Sequence, residues 1–312
     1  MEKSREEQRV INGVVLLDKP PGLSSNSAVQ RVKRLLGAKK AGHTGSLDPI
    51  ATGLLPVCLG EATKLAAFLL DDDKRYETRV RLGITTASAD IEGEVLETRD
   101  VPELNEEKIE AVLAQFRGAI SQIPPMYSAL KHQGQRLYEL ARKGVEVERA
   151  PRNIRIHELL LRGYGADYLD LEAHCSKGTY IRSLAADIGE ALGCGGHVEL
   201  LRRTAVGALT LQQGAVSLDQ MQRCPDDARL PLVHPSELMV QGLIFLEVDG
   251  EQAVRLSRGQ TVIVSSDTDR EGIRKVVCGD AFLGMAELKA DGGLVPRRWF
   301  SVPISRVSPV AM

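Results

Sequence analysis

The chain lacks the devices that hold small secreted proteins together. Its five cysteines, Cys58, Cys175, Cys194, Cys224 and Cys278, are odd in number and scattered, with no CxxC pair and no histidine at zinc-finger spacing. They read as reduced, mostly structural thiols. His174 and Cys175 are neighbours, and on a strand they point to opposite faces, which makes a poor metal pair. No metal is expected. Long apolar runs are also missing: none approaches the roughly 18 residues of a membrane span, and the first residues, Met1 to Gln8, are charged. These absences predict a soluble, cytoplasmic protein with no membrane partner. No internal repeat or low-complexity tract is visible.

Nor does the chain carry a large excess of either charge. A formal net charge of −2 excludes a uniformly basic nucleic-acid binder, so any polyanion must be met by local clusters. Three stand out: Arg31, Lys33, Arg34, Lys39 and Lys40; Lys131, Arg136, Arg142, Lys143, Arg149, Arg152 and Arg155; and Arg202 with Arg203. Each alone reads as a solvated face, whereas three facing one cleft would make a phosphate footprint. With 312 residues and 43% hydrophobic content the chain can bury a substantial core, in one large domain or one large and one small.

The pattern of elements is mixed. Residues 13–18 read as a buried strand, and Pro20, Pro21 and Gly22 turn the chain into a helix capped by Ser24, Ser25 or Asn26 and ending at Gly37. A short strand at 55–59, a helix over 62–70 and an alternating strand over 74–82 follow, with Tyr76, Thr78, Val80 and Leu82 sharing a face. Helices are expected near 105–117 and 135–143, strands near 153–162 and 168–175, and then a helix running to about 192. Strands and helices without regular alternation predict an α+β fold on a mixed, largely antiparallel sheet. Periodicity fades over 222–245, where Pro225, Pro231 and Pro235 mark a link to a small β-rich domain. The expected division is a flexible N-terminus over 1–10, a catalytic domain over 11–235 and a C-terminal domain over 236–312.

The segment least like ordinary core is AGHTGSLDPIAT at 41–52. It sets one carboxylate, Asp48, in a glycine-punctuated loop, with His43 five residues upstream and Pro49 directly after it. Pro49 biases Asp48 away from helix, which places the acid at the end of a rigid turn. An Asp-Pro pair alone also fits a plain turn. Two enzymatic alternatives fail on motif. GAKKAGHT at 37–44 nearly matches a phosphate-binding loop, but His43 holds the lysine position and a helix, not a strand, precedes it. Ser46, His43 and Asp48 lack the GxSxG elbow of a serine hydrolase.

Five segments taken together carry a family resemblance: LLDKPPGLSSN at 16–26, AGHTGSLDPIATGLLPVCLGEATK at 41–64, KRYE at 74–77, PPMYSALKHQGQRLYELAR at 124–142 and HCSKGTYIRSLAADIG at 174–189. In this order, over residues 11–207, the chain resembles the TruB family of bacterial tRNA pseudouridine-55 synthases. Its last third resembles the family's PUA-type RNA-binding domain more loosely, through FLGMAEL at 282–288 and a late VPRRW. The resemblance implies a pseudouridine-synthase fold and assigns Asp48 as the catalytic aspartate, Tyr76 as the aromatic on the target base and Arg182 as the cation paired with the acid. It further implies substrate contacts at Lys19, Pro20, His43, Asp90, Tyr180 and Leu201. One position departs from the family pattern: within GITTASADIEG at 83–93, Ala87 stands where a second acid usually precedes Asp90.

The implied chemistry agrees with the residue inventory. Converting uridine to pseudouridine breaks the N1–C1′ bond, turns the uracil and forms a C5–C1′ bond, with no net redox change and no group lost. It calls for a fixed carboxylate beside the ribose, a cation to hold it and a closed pocket for the detached base, without cofactor or metal. A carboxylate with an ordinary pKa of about 3.9 is ionised at neutral pH, so Asp48 is a nucleophile or a base. The expected partner is the T-stem-loop of tRNA, with no protein partner required and a monomeric enzyme. The competing readings are a non-catalytic RNA-binding or RNA-folding protein, for which such a carboxylate is superfluous, and a metal-free glycosidase, for which no second carboxylate motif is present.

Overall fold

The computed structural model describes residues 9–128, 130–264 and 271–305. Residues 1–8 of the expected flexible N-terminus lie outside the described residues. The chain forms two compact units, one from residues 1–48, 54–70 and 208–312 and one from residues 49–53 and 71–207.

In the first unit, strand Gly13–Lys19 lies beside Thr52–Leu59 and pairs in parallel with Val216–Ser217. Its Val14 to Leu17 run is fully buried, as a continuous apolar strand requires. The helix Ser25–Leu36 is capped by Ser24, whose hydroxyl accepts from the Ser27 amide, and closes at Gly37 in the left-handed conformation. Its Ala28, Val29, Val32 and Leu36 are buried, while Arg31 and Arg34 face water. The expected helix over 62–70 is shorter: Gly60–Leu65 is a 3-10 turn and only Ala66–Leu70 is α-helical. The Thr63 hydroxyl donates to the Gly60 carbonyl at 2.8 Å, a local bond that favours the tighter turn. The aperiodic stretch 222–245 is a series of short helical turns tied to the first strand, since Val14 and His234 exchange backbone hydrogen bonds at 3.0 and 2.8 Å.

The end of the chain is β-rich, as expected. Five strands, Phe245–Glu247, Val262–Ile263, Gly272–Cys278, Ala281–Leu288 and Gly293–Ser305, close around Val248, Leu256, Val276, Ala286 and Leu294. Lys64 ties this sheet to the 60–65 turn, donating to the Trp299 carbonyl at 3.0 Å and the Ser301 hydroxyl at 2.9 Å, with Glu61 at 2.8 Å as its counter-ion.

The second unit is an antiparallel sheet in the order Gly196–Val206, Lys74–Leu82, Tyr168–Cys175, Arg152–Tyr164, Gly118–Gln122. Parallel to its first strand runs the start of Thr52–Leu59, with Thr52 opposite Arg202 and Gly53 opposite Arg203. Gly53 has φ +97°, and a Cβ there would stand 2.2 Å from the Arg203 carbonyl oxygen, so only glycine permits this approach. Along Lys74–Leu82 the period of two holds: Thr78, Val80 and Leu82 are buried and Tyr76 is half-buried on the same face. Helices Glu106–Ala114 and Ile181–Ala191 belong to this unit. The helix expected over 135–143 shrinks to Leu137–Ala141, because Lys131–Arg136 forms a small hairpin whose turn places Gln133 and Gly134 at positive φ. The result is the predicted mixed, largely antiparallel α+β architecture. Among the described residues, no helix is long and apolar enough to cross a membrane.

Candidate active site

In the first unit Asp48 sits in a segment without regular structure, half-buried, just beyond Leu47. The loop is fixed from beneath. The buried Ser25 hydroxyl accepts from the Leu47 amide at 2.7 Å and donates to the Leu47 carbonyl at 3.0 Å, so both backbone polar groups of the residue before Asp48 are satisfied by one side chain at a helix start. Leu47 itself is buried. His43 ends a short strand, Ala41–His43, and its Nδ1 accepts from the Gly45 amide at 3.2 Å, closing the first bend of the same loop. Lys19 is fully buried and its Nζ donates to the carbonyls of Pro20 and Leu23, each at 2.8 Å. It braces the Pro20–Leu23 turn that delivers the chain to Ser25.

In the second unit Arg182 is not a surface cation. It is the second residue of the helix Ile181–Ala191, and its side chain is only 3% exposed. Its Nη1 lies 3.5 Å from the Asp90 carboxylate and donates to the Ser88 carbonyl at 2.9 Å, while Nη2 donates to the Tyr127 carbonyl at 2.6 Å. A cation in the first turn opposes the helix dipole, and the buried carboxylate and two carbonyls offset that cost. Asp90 in turn accepts from the Ser88 hydroxyl and from the Glu92 amide at 3.1 Å, within a tight turn in which Ala89 has φ +58°. Asp90 is thus one half of a buried ion pair. Ala87 is exposed on this turn and takes no part in the buried Asp90–Arg182 pair.

The start of that helix is set by a residue that sequence reasoning missed. Tyr180, the N-cap position, makes no side-chain cap; instead the buried Gln122 accepts from the Tyr180 amide at 2.8 Å and donates to the Tyr180 carbonyl at 3.0 Å. Ser183 adds a bond to the Ile123 carbonyl at 3.0 Å. No local signal marks Gln122, whose partner is 58 residues away. Tyr76 stands mid-strand, opposite Ala173 on one side and Arg203 on the other. Leu201 is buried on the neighbouring strand, opposite Thr78.

One electrostatic expectation needs correction. Arg203 is 1% exposed and is not part of a solvent-facing basic tract: it lies on the buried face of its strand with Leu201 and Ala205, whereas Leu200 on the other face is exposed. The other tracts do face water. Arg31, Arg34, Lys39 and Lys40 are exposed on the first unit, and Lys131, Arg136, Arg142, Lys143, Arg152 and Arg155 on the second. Tyr138 lies beneath two of these, with the Arg136 and Arg142 guanidinium groups 5.9 and 5.6 Å from its ring centre.

The fold is that of the pseudouridine synthases. The chain superposes on a chain of the archaeal box H/ACA sRNP Nop10–Cbf5 complex with a TM-score of 0.70 at 24% identity, over 94% of this chain and 87% of that one. A Cbf5–Nop10–Gar1 complex matches with a TM-score of 0.69 at 25% identity, over 95% and 89%. Within that class the sequence narrows further. Residues 33–181 match the model of the TruB family pseudouridylate synthase N-terminal domain, 182–241 that of the tRNA pseudouridylate synthase B C-terminal domain, and 246–300 that of the pseudouridine synthase II TruB C-terminal region. The protein named tRNA pseudouridine synthase B of Nitrosococcus oceani is 48% identical over 96% of this chain and 98% of its own length. Those of Vibrio parahaemolyticus and Coxiella burnetii are 47% and 48% identical, over 94% and 93% of this chain and 96% and 95% of their own lengths. The chain belongs to the TruB family of pseudouridine synthases.

Proposed function

We propose that this chain converts uridine 55 in the T-loop of tRNA to pseudouridine, with Asp48 as the reacting carboxylate. The observation that carries the reading is the near-full-length identity to proteins named tRNA pseudouridine synthase B, with Asp48 inside the matched segment 33–181. The geometry supports it: a carboxylate on a loop pinned at Leu47 is pre-organised, as catalysis at a single sugar carbon requires. Asp48 either attacks C1′ or takes a proton from C2′, and each path frees the uracil for C5–C1′ re-attachment. Arg182 supplies the positive charge that keeps the acid ionised, Tyr76 lies against the base and assists the late C5 proton, and Leu201 contributes an apolar edge. His43, Lys19, Pro20, Asp90 and Tyr180 shape the substrate pocket.

The target base is stacked inside folded RNA, and flipping it out costs a few kcal/mol, which phosphate contacts offset. The exposed cations between Lys131 and Arg155 are assigned that role, and residues 236–312, as a PUA-like domain distinct from the catalytic 11–235, grip RNA farther from the reacting base. The enzyme works in the cytoplasm as a monomer, without cofactor or protein partner.

The test of substrate position uses a T-stem-loop RNA and a twin in which the uridine at position 55 is cytidine. Chemical mapping of pseudouridine should give one modified site in the first and none in the second. Modification elsewhere in either RNA contradicts the assignment.

A further inference from the structure

Away from every residue assigned above, the second unit brings together Asp73, His157 and His174, whose donor atoms all lie within 4.8 Å of one another. The sequence conceals this. His174 lies within the strand Tyr168–Cys175 and pairs with Arg75, and its neighbour Cys175 points into the core. His157 owes its position to an irregularity: the register between Arg152–Tyr164 and Tyr168–Cys175 runs from Ile156↔Cys175 directly to Glu158↔His174, leaving His157 as the extra residue of a β-bulge. A bulge re-aims a side chain, and here it sets the two imidazoles on one face, ring centres 4.8 Å apart and tilted by 40°. Asp73 is held at the entrance to the next strand, where its carbonyl accepts from the Gly207 amide at 2.8 Å.

From these positions we infer that Asp73, His157 and His174 form a binding site for a borderline transition-metal dication of the Zn2+ class. Asp73 Oδ2 stands 3.1 Å from His157 Nε2 and 3.9 Å from His174 Nε2. Donors bound at about 2.0–2.2 Å in tetrahedral geometry are roughly 3.3 Å apart, so small side-chain rotations complete the set. Two imidazoles with one carboxylate select Zn2+, Co2+ or Ni2+ over Mg2+ or Ca2+, which prefer all-oxygen sites. Arg75, which lies opposite His174 and acts on it electrostatically, is engaged by Glu158 at 2.7 Å and Glu172 at 3.7 Å, and this pairing reduces its repulsion of a metal ion. With three protein ligands from three chain segments, the ion would clip the bulge to the neighbouring strands and keep a further position for water or a phosphate oxygen. The alternative is a plain imidazole–carboxylate contact at the surface, and the two differ in a measurable way.

The experiment is a titration of the untagged, chelator-stripped full chain with Zn2+ by calorimetry and with Co2+ by visible absorption, cysteines alkylated in a parallel sample. The site predicts one saturable equivalent, insensitive to alkylation, with a Co2+ d–d band and a rise in melting temperature. His157→Ala and His174→Ala should each weaken binding at least about tenfold, and Asp73→Asn should also weaken it, while His132→Ala changes nothing. Circular dichroism confirms that each variant is folded before titration. Absence of a saturable equivalent, equal binding by the folded variants, or binding lost on alkylation overturns the proposal. None of these outcomes bears on the pseudouridylation reading, which uses none of the three residues.

Discussion

The two units fix their assigned residues in different ways. In the first, the loop before Asp48 is held by neighbours in sequence: Ser25, the Lys19 brace and the His43 bend all come from residues 19–45. In the second, Arg182 is held by groups contributed from residues 88, 90 and 127, and its helix by Gln122. A loop stabilised locally can present a charged group at modest cost in stability, because little else depends on it. A buried guanidinium cannot be altered so cheaply, since its partners are left desolvated. Changes in the first unit should therefore separate activity from stability, and changes in the second should couple them.

The largest expected coupling is at Arg182. Replacing it with Met leaves Asp90 buried without its cation and should cost about 3–5 kcal/mol in urea unfolding as well as product formation. A stable Arg182→Met enzyme would collapse the distinction between the units. Next comes Gly53→Ala, where a methyl group meets the Arg203 carbonyl at 2.2 Å and φ is +97°. Strain and steric displacement together should cost about 3 kcal/mol by the same measurement. Gln122→Ala removes both bonds to the Tyr180 backbone and should cost about 2 kcal/mol, with a matching fall in activity if the helix start positions Arg182. A loss of stability with activity unchanged would show that Gln122 supports the fold alone.

The smallest effect concerns the thiols. Burial pushes Cys58 up to about 12 and Cys175 up to about 11, and raises Cys194 as well, so at pH 8 these three are protonated. Because the thiolate is the reactive form, a colorimetric disulfide reagent should modify only the half-buried Cys224 and Cys278 in the native protein, and the rest on unfolding. Rapid reaction of all five in native buffer would contradict the packing described here.

Legibility in the sequence follows the same division. The strand Lys74–Leu82, the cap at Ser24 and stop at Gly37, and the glycine-and-proline punctuation of the Asp48 loop could all be read, because each is marked by residues a few positions apart, whereas the Ser25 bonds that pin Leu47 reach across 22 positions. The shortened helices at 66–70 and 137–141 could not, since a hydroxyl back-bond and a glycine hairpin compete with a helical pattern without erasing it. Arg203 looked like surface because charge is visible in sequence and the buried face of its strand is not. Gln122 and the bulge at His157 carry no local mark at all, as their effects arise only when strands from distant parts of the chain are paired.

The central claim is that Asp48 performs chemistry and does not merely shape its loop. The direct measurement compares wild type with Asp48→Asn on a T-stem-loop RNA, scoring pseudouridine by chemical mapping and affinity by filter retention at several salt concentrations. The account predicts binding within a few-fold of wild type, with the same steep salt dependence, and product formation reduced by about 10³-fold or more. Equal product from the two proteins would contradict it.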